Sequence, residues 1–383
     1  MIYFDYCATT PLDKRVAALM ANVNENVFGN PSSIHRYGQE AKGYVERARR
    51  HVASAINCQP KEIIFTGGGT EANNIVLWNV LRENKKHVIL SAIEHPSISK
   101  TISLLANWGI EYTIIPVDSF GIVNPNSVRD AIRNDTGLVT VMFVNNETGT
   151  IEPIGEISQL CLERGIYFHS DGVQALGKIP VDVRSLNVTS MSFSAHKLYG
   201  PKGVGALYLS EGTRLNPLVV GGSQEGNFRA GTENVPGITG FGLAAELAIA
   251  ILETEKDRLR KLEQHFLESL IENIPNLTIN GHQEHRVQGV INITFPDVPG
   301  DDLLMNLDLN GIAVSGGSAC SSGTLKPSEV LKAMGISDRL NRRTIRISLG
   351  RYTSKSDVHV LAEAIVKHVQ HLKKVNTPLE THA

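Results

Sequence analysis

The chain has 383 residues, 42% of them hydrophobic and 20% charged, enough apolar material for a large core and more than one domain. Its 37 Lys and Arg and 39 Asp and Glu leave a formal net charge of -2 and form no basic stripe, which argues against direct nucleic-acid binding. No basic and apolar leader opens the chain and no stretch approaches the roughly 20 apolar residues that span a bilayer. Cys7, Cys58, Cys161 and Cys320 show neither C-x-x-C nor metal-finger spacing. The expectation is a cytoplasmic, reducing location with no membrane, no zinc and no disulfide framework.

From about Ser33 to Leu209, short β-branched runs alternate with amphipathic stretches, the pattern of a mostly parallel sheet with crossover helices. Strands are predicted at 62–66, 87–91, 111–117, 138–144, 166–169, 190–193 and 205–209. Helices are predicted between them at 69–84, 97–108, 127–134 and 154–163, most of them behind a Ser, Thr, Asn or Pro start signal. Past the glycine-rich 221–226, one long helix is predicted over about 236–273. Strands at 290–294 and 344–348, with helices at 301–309, 327–334 and 355–373, then compose a smaller α/β unit. The predicted division is a large domain over 15–255 and a small domain of 1–14 with 256–383, since chain ends often pack together.

Ligands in open α/β sheets bind beyond the carboxyl ends of strands, where the most distinctive segments of this chain fall. Thr66-Gly67-Gly68-Gly69-Thr70-Glu71 is a glycine run entering a helix, where backbone N–H groups and the helix dipole favour a phosphate; the same run also serves as a plain tight turn. His169-Ser170-Asp171-Gly172-Val173-Gln174 puts a carboxylate and an amide at a strand end. Asp171 there either pairs with a protonated ring nitrogen or caps the next helix. Ser194-Ala195-His196-Lys197-Leu198-Tyr199-Gly200-Pro201 holds a lysine in a turn of small residues. Most lysines are solvated surface charges, but a desolvated one forms imines, and Ser194 and His196 beside it are phosphate-binding types.

In order along the chain, Gly-Gly-Gly-Thr-Glu, Glu-His, Asn-Asn-Glu, Asp-x-x-Gln, Ser-x-His-Lys and Ser-x-x-Cys resemble the cysteine desulfurases. These are pyridoxal 5′-phosphate (PLP) enzymes of the class V branch of the aspartate-aminotransferase fold. The likeness runs from Asp5-Tyr6-Cys7-Ala8-Thr9-Thr10 to Arg346-Ile347-Ser348-Leu349-Gly350-Arg351. It implies an α/β PLP-dependent transferase fold, with a large domain built on a mostly parallel seven-stranded sheet and a smaller C-terminal α/β domain. It also implies that Lys197 carries PLP as a Schiff base and that Asp171 pairs with the pyridine nitrogen. Gln174 and Asn146 would lie near the phenolic oxygen, and His95 would stack on the ring and exchange protons. Gly69, Thr70, Ser194 and His196 would hold the phosphate, joined by a threonine of a homodimer partner that Thr232 matches. Arg346, with Asn146 beside it, would bind the substrate carboxylate, a role suited to its bidentate fork.

PLP alone permits transamination, elimination, decarboxylation or sulfur removal, so a second reactive group must select among them. Cys320 lies in Gly316-Gly317-Ser318-Ala319-Cys320-Ser321-Ser322-Gly323, a setting unlike the apolar surroundings that make most cysteines inert, and similar to the family's longer-loop class. By resemblance, its thiolate takes sulfur from L-cysteine, leaving alanine and a persulfide for a sulfur-acceptor protein in iron–sulfur cluster assembly or thio-modification of nucleic acid. A selenocysteine lyase, or a class V aminotransferase with an incidental Cys320, stays open. Two departures stand out: Cys7 replaces a more usual Ala or Ser near the expected site, and Gly172 replaces a more usual Ala, which is expected to be a minor packing change.

Overall fold

The computed structural model describes residues 1–316 and 326–376. The chain opens with β1 (Ile2–Tyr3), α1 (Lys14–Asn26) and α2 (Arg36–Ala55). It then alternates β2 (Ile63–Thr66), α3 (Gly69–Asn79), β3 (His87–Ser91), α4 (Pro96–Leu105), β4 (Glu111–Ile115), α5 (Pro125–Ala131), β5 (Thr136–Thr140), α6 (Ile154–Glu163), β6 (Tyr167–Asp171), β7 (Ser190–Ser194) and β8 (Gly205–Leu209). Next come α7 (Val235–Ala250), α8 (Leu252–Asn273), β9 (Thr278–Asn280), β10 (Val290–Thr294), α9 (Gly300–Leu309) and β11 (Ile312–Ala313). The last elements are α10 (Glu329–Ala333), α11 (Asp338–Asn341), β12 (Thr344–Ser348) and α12 (Lys355–Asn376).

Seven strands form one sheet in the order β2-β8-β7-β6-β5-β3-β4, with β8 antiparallel to both neighbours and the other pairings parallel. β3, β7 and β8 are buried at every position, because helices cover both faces, so these strands read as continuous apolar or small-residue runs. The amphipathic α2 turns Ala41, Val45, Ala48 and Val52 inward at helical spacing, into the core shared with Ile89, Val139 and Phe241. A second core gathers Phe266, Ile293, Leu303, Ile345 and Leu361, and Phe4 from the N-terminal segment joins it. There β12-β10-β9 form an antiparallel sheet, and β1 pairs with β11.

The predicted helix over 236–273 is instead two helices, α7 and α8, bent by 68°. Ile251 between them leaves helical geometry at φ -116° and ψ 5°, and no Pro or Gly marks the break. Its cause is tertiary. α7 is apolar nearly all round and lies in the first core with Phe241, Ala244, Ala245 and Ala248, whereas α8 sends one stripe, Leu262, Phe266 and Leu270, into the second. The sequence reading also names no helix before Gly69, where the structure has α1 and α2. Among the described residues, no single helix is long and apolar enough to cross a membrane.

Candidate active site

At the carboxyl edge of the large sheet, β2 runs into the N-terminus of α3, β6 ends at Asp171, and β7 ends at Ser194, one residue before the turn that carries Lys197. The N-cap of α3, Gly68, makes no side-chain cap hydrogen bond, so no side chain claims the amides of that helix end through its cap. A Cβ on Gly69 would lie 2.5 Å from Val173 Cγ2; glycine lets this helix end sit against the segment that follows Asp171.

Asp171 is buried, and both of its carboxylate oxygens have partners. Its Oδ1 accepts from the Val173 amide at 2.9 Å, a turn-capping bond, while Oδ2 accepts from Asn73 Nδ2 at 2.9 Å from inside the protein. Beside it, a Cβ on Gly172 would come within 2.8 Å of Met191 Sδ and 2.9 Å of Phe193 Cε1. The Gly172 departure is therefore not a minor packing change, because here the side chains of β7 occupy the space an alanine methyl needs.

The Lys197 amine donates to the carbonyls of Cys7 at 2.6 Å and Ala8 at 2.8 Å. Burial, and then the charge of Lys178, pull its pKa down to about 8. The N-terminal segment thus closes over the lysine turn, and Thr9 Oγ1 meets His196 Nδ1 at 3.1 Å. Burial, then Lys197, Lys202 and Lys178, hold the His196 ring down at about 4, so it is neutral near pH 7. Gln174 donates through Nε2 to the Cys7 carbonyl at 3.0 Å and accepts from Lys178 Nζ through Oε1.

Arg346 is buried on β12. It donates to Asp5 Oδ1 at 2.8 Å and to the Asn146 carbonyl at 2.9 Å, and its Nε has no partner. Asn146 thereby meets the arginine through its backbone. His95 caps α4 and keeps an exposed face, while its Nδ1 lies 2.8 Å from Ser97 Oγ. Thr232 is exposed on the segment leading into α7. Cys320 lies outside the described residues.

Asn73, Ser97, His169, Lys178 and the Cys7 and Ala8 carbonyls enter the site without having been read from the sequence. Signals existed for three of them. His169 shares a strand face with Asp171 at i, i+2, Ser97 stands two residues after His95, and Asn73 lies about one turn into α3 from Gly69 and Thr70. The donor set fits PLP: open amides at a helix N-terminus for a phosphate, a strand-end carboxylate for a pyridinium, and an amine of lowered pKa for an imine.

Fold and donor set together describe a PLP-dependent enzyme, and the comparisons with known proteins agree. The sequence profile of "Aminotransferase class-V" matches residues 2–361. A cysteine desulfurase IscS of Dictyoglomus turgidum is 46% identical over 378 residues, covering 98% of this chain and 96% of its own length. The cysteine desulfurase of Homo sapiens is 42% identical, covering 98% of this chain and 83% of its own. A solved NifS-like protein superimposes with a TM-score of 0.91 at 35% identity, covering 97% of this chain and 100% of that one. The chain belongs to the class-V aminotransferase family, and within it to the cysteine desulfurases, enzymes that work with PLP.

Proposed function

We propose that this cysteine desulfurase holds PLP on Lys197 and passes the sulfur of L-cysteine to Cys320 as a persulfide. The sulfur then goes to an acceptor protein serving iron–sulfur cluster assembly or thio-modification. The observation that carries the reading is the convergence of Lys197, Asp171 and the open N-terminus of α3 at the carboxyl edge of the sheet. Bound there, PLP supplies an electron sink for bond cleavage at the substrate carbons. Lys197, its pKa lowered to about 8, keeps a neutral, nucleophilic fraction near neutrality and is a base within reach of protons at the substrate carbon. Arg346 takes the substrate carboxylate by exchanging the Asp5 oxygen for it, which turns a single contact into a bidentate one. The Cys320 thiolate bonds to the substrate sulfur as the carbon–sulfur bond breaks, and protonation of the carbon gives alanine.

The flanks of the Cys320 segment support this role. Ser315 pairs backbone to backbone with Arg346 at 2.6 and 3.1 Å, and Ser328 Oγ donates to Glu147 Oε2 at 2.5 Å, next to Asn146. A homodimer completes the site in this reading, with Thr232 of each subunit reaching the other's phosphate. The exposed Phe28, Ile34, Tyr37 and Val220 offer apolar surface to such a partner. We place the small domain at 1–14 with 256–383, because Phe4 packs in the second core, and the reducing location read from the sequence stays our proposal for the compartment, the cytoplasm. The test is Cys320→Ala with L-cysteine: the variant keeps the coloured cofactor and loses protein persulfide and catalysed alanine formation. Undiminished sulfur release would remove Cys320 as the nucleophile.

A further inference from the structure

Asn73 is wholly buried on α3, and both the nitrogen and the oxygen of its amide bond to other side chains. Its Nδ2 donates to Asp171 Oδ2 at 2.9 Å and to Ser97 Oγ at 2.8 Å, and its Oδ1 lies 2.9 Å from His169 Nε2. The amide nitrogen faces Asp171 and the amide oxygen, which can only accept, faces His169. His169 therefore carries its proton on Nε2, while its Nδ1 accepts from Ser190 Oγ at 2.8 Å. Burial holds that ring neutral, which agrees with this tautomer.

The same logic passes through Ser97. Its Oγ already accepts from Asn73, so its own O–H is free to point at His95 Nδ1, 2.8 Å away. The Ser97 backbone N–H donates to the same Nδ1 at 3.1 Å, and a backbone amide cannot reverse its role. The single lone pair of His95 Nδ1 is thus shared by two donors, and the neutral ring carries its proton on Nε2.

We propose that Asn73 is a positioning residue for the desulfurase reaction, whose one amide orients the Asp171 carboxylate and, by holding the Ser97 hydroxyl so that its O–H aims at His95 Nδ1, reinforces the tautomer that the Ser97 backbone amide fixes, in which Nε2–H is a donor. It couples the group expected at the pyridine nitrogen to the group expected to stack on the ring, across 98 residues from Asn73 to Asp171 and 24 from Asn73 to Ser97. The inference rests on the reading that Asp171 and His95 face PLP. Its consequence is that His95 enters turnover as a donor, so proton removal at the substrate carbon falls to the Lys197 amine.

The test uses holoenzyme. Borohydride reduction of the wild type followed by peptide mass analysis first checks that PLP is on Lys197; an unmodified Lys197 overturns the site reading and this proposal with it. Asn73→Leu and Ser97→Ala are then compared by three measurements: cofactor affinity, the pH titration of the bound cofactor's absorbance, and ¹⁵N shifts of labelled histidine. Asn73→Leu is expected to weaken PLP binding about tenfold or more and to move the absorbance titration by at least about 0.5 pH unit. Ser97→Ala is expected to leave that titration in place and to change only the His95 ¹⁵N pattern and the pH profile of kcat. Should Asn73→Leu fail to fold, Ser97→Ala still decides: a His95 pattern unchanged from wild type overturns the relay. A folded Asn73→Leu with wild-type absorbance titration and cofactor affinity overturns the role of Asn73.

Discussion

Two buried polar clusters adjoin His95, and burial acts on them in opposite ways. In the first, Asn73, Ser97, His169 and Asp171 match donor to acceptor, so each group has a partner and the pattern dictates tautomers. In the second, Glu94 accepts from Ser91 Oγ at 2.5 Å and the Met142 amide at 2.8 Å, and Glu152 accepts from the Val123 amide at 2.8 Å. One oxygen of each, Glu94 Oε2 and Glu152 Oε1, is buried with no partner. Burial, reinforced by Asp171 at Glu94 and by Glu94 and Asp118 at Glu152, pushes both carboxyls up to about 8. For a buried carboxyl, an incomplete set of partners makes protonation the cheaper state.

The largest effect that would break this comparison is a pH dependence of stability. Both carboxyls are raised from 4.5 to about 8 in the folded chain. Between those values the unfolded chain releases protons that the native chain keeps, so native stability falls as pH rises through that window, by on the order of a few kcal/mol for each group. Thermal melts from pH 5 to 8 should show this slope, and it should flatten in Glu152→Gln, whose uncharged amide can still accept from Val123. An equal slope in wild type and variant would mean that Glu152 is already ionised in the native state.

A smaller effect sharpens the view of the first cluster as tightly set. Gly172→Ala drives a methyl into Met191 Sδ at 2.8 Å and should cost about 1–3 kcal/mol, read as a lowered melting temperature. Shortening Met191 to Val in the same chain should recover part of it. The smallest effect concerns charges outside both clusters. Lys61 and Glu211 pair with 61% and 62% of their side chains exposed, so Lys61→Ala should leave the melting temperature close to that of the wild type. A loss as large as that of Gly172→Ala would mean that exposed pairs matter here as much as buried packing.

Much of the site was legible because it is written in short segments. Lys197, Asp171, the Gly68–Gly69 turn and His95 each follow a strand or open a helix, and such placements depend only on local periodicity and turn chemistry. Strands at His87–Ser91, Gly205–Leu209, Val290–Thr294 and Thr344–Ser348, and the helix Ile154–Glu163, appear with the bounds read from the sequence. The break at Ile251 was not legible, because helical propensity continues through it and only the separation of two cores bends the chain there. The resemblance put Cys7 near the site, but the capture of the Lys197 amine by the Cys7 and Ala8 carbonyls was not legible, since nothing local in those residues names a partner 190 positions away.

The sequence by itself therefore determined the fold class, through helix and strand periods and turn residues that are local properties, and its resemblance to the cysteine desulfurases implied the cofactor. Tertiary structure alone decided which protonation and tautomer each buried group adopts. Those states depend on partners brought from α3, α4, β6 and the N-terminal segment into one low-dielectric space, where a hydrogen bond made or missed outweighs the intrinsic preference of the side chain.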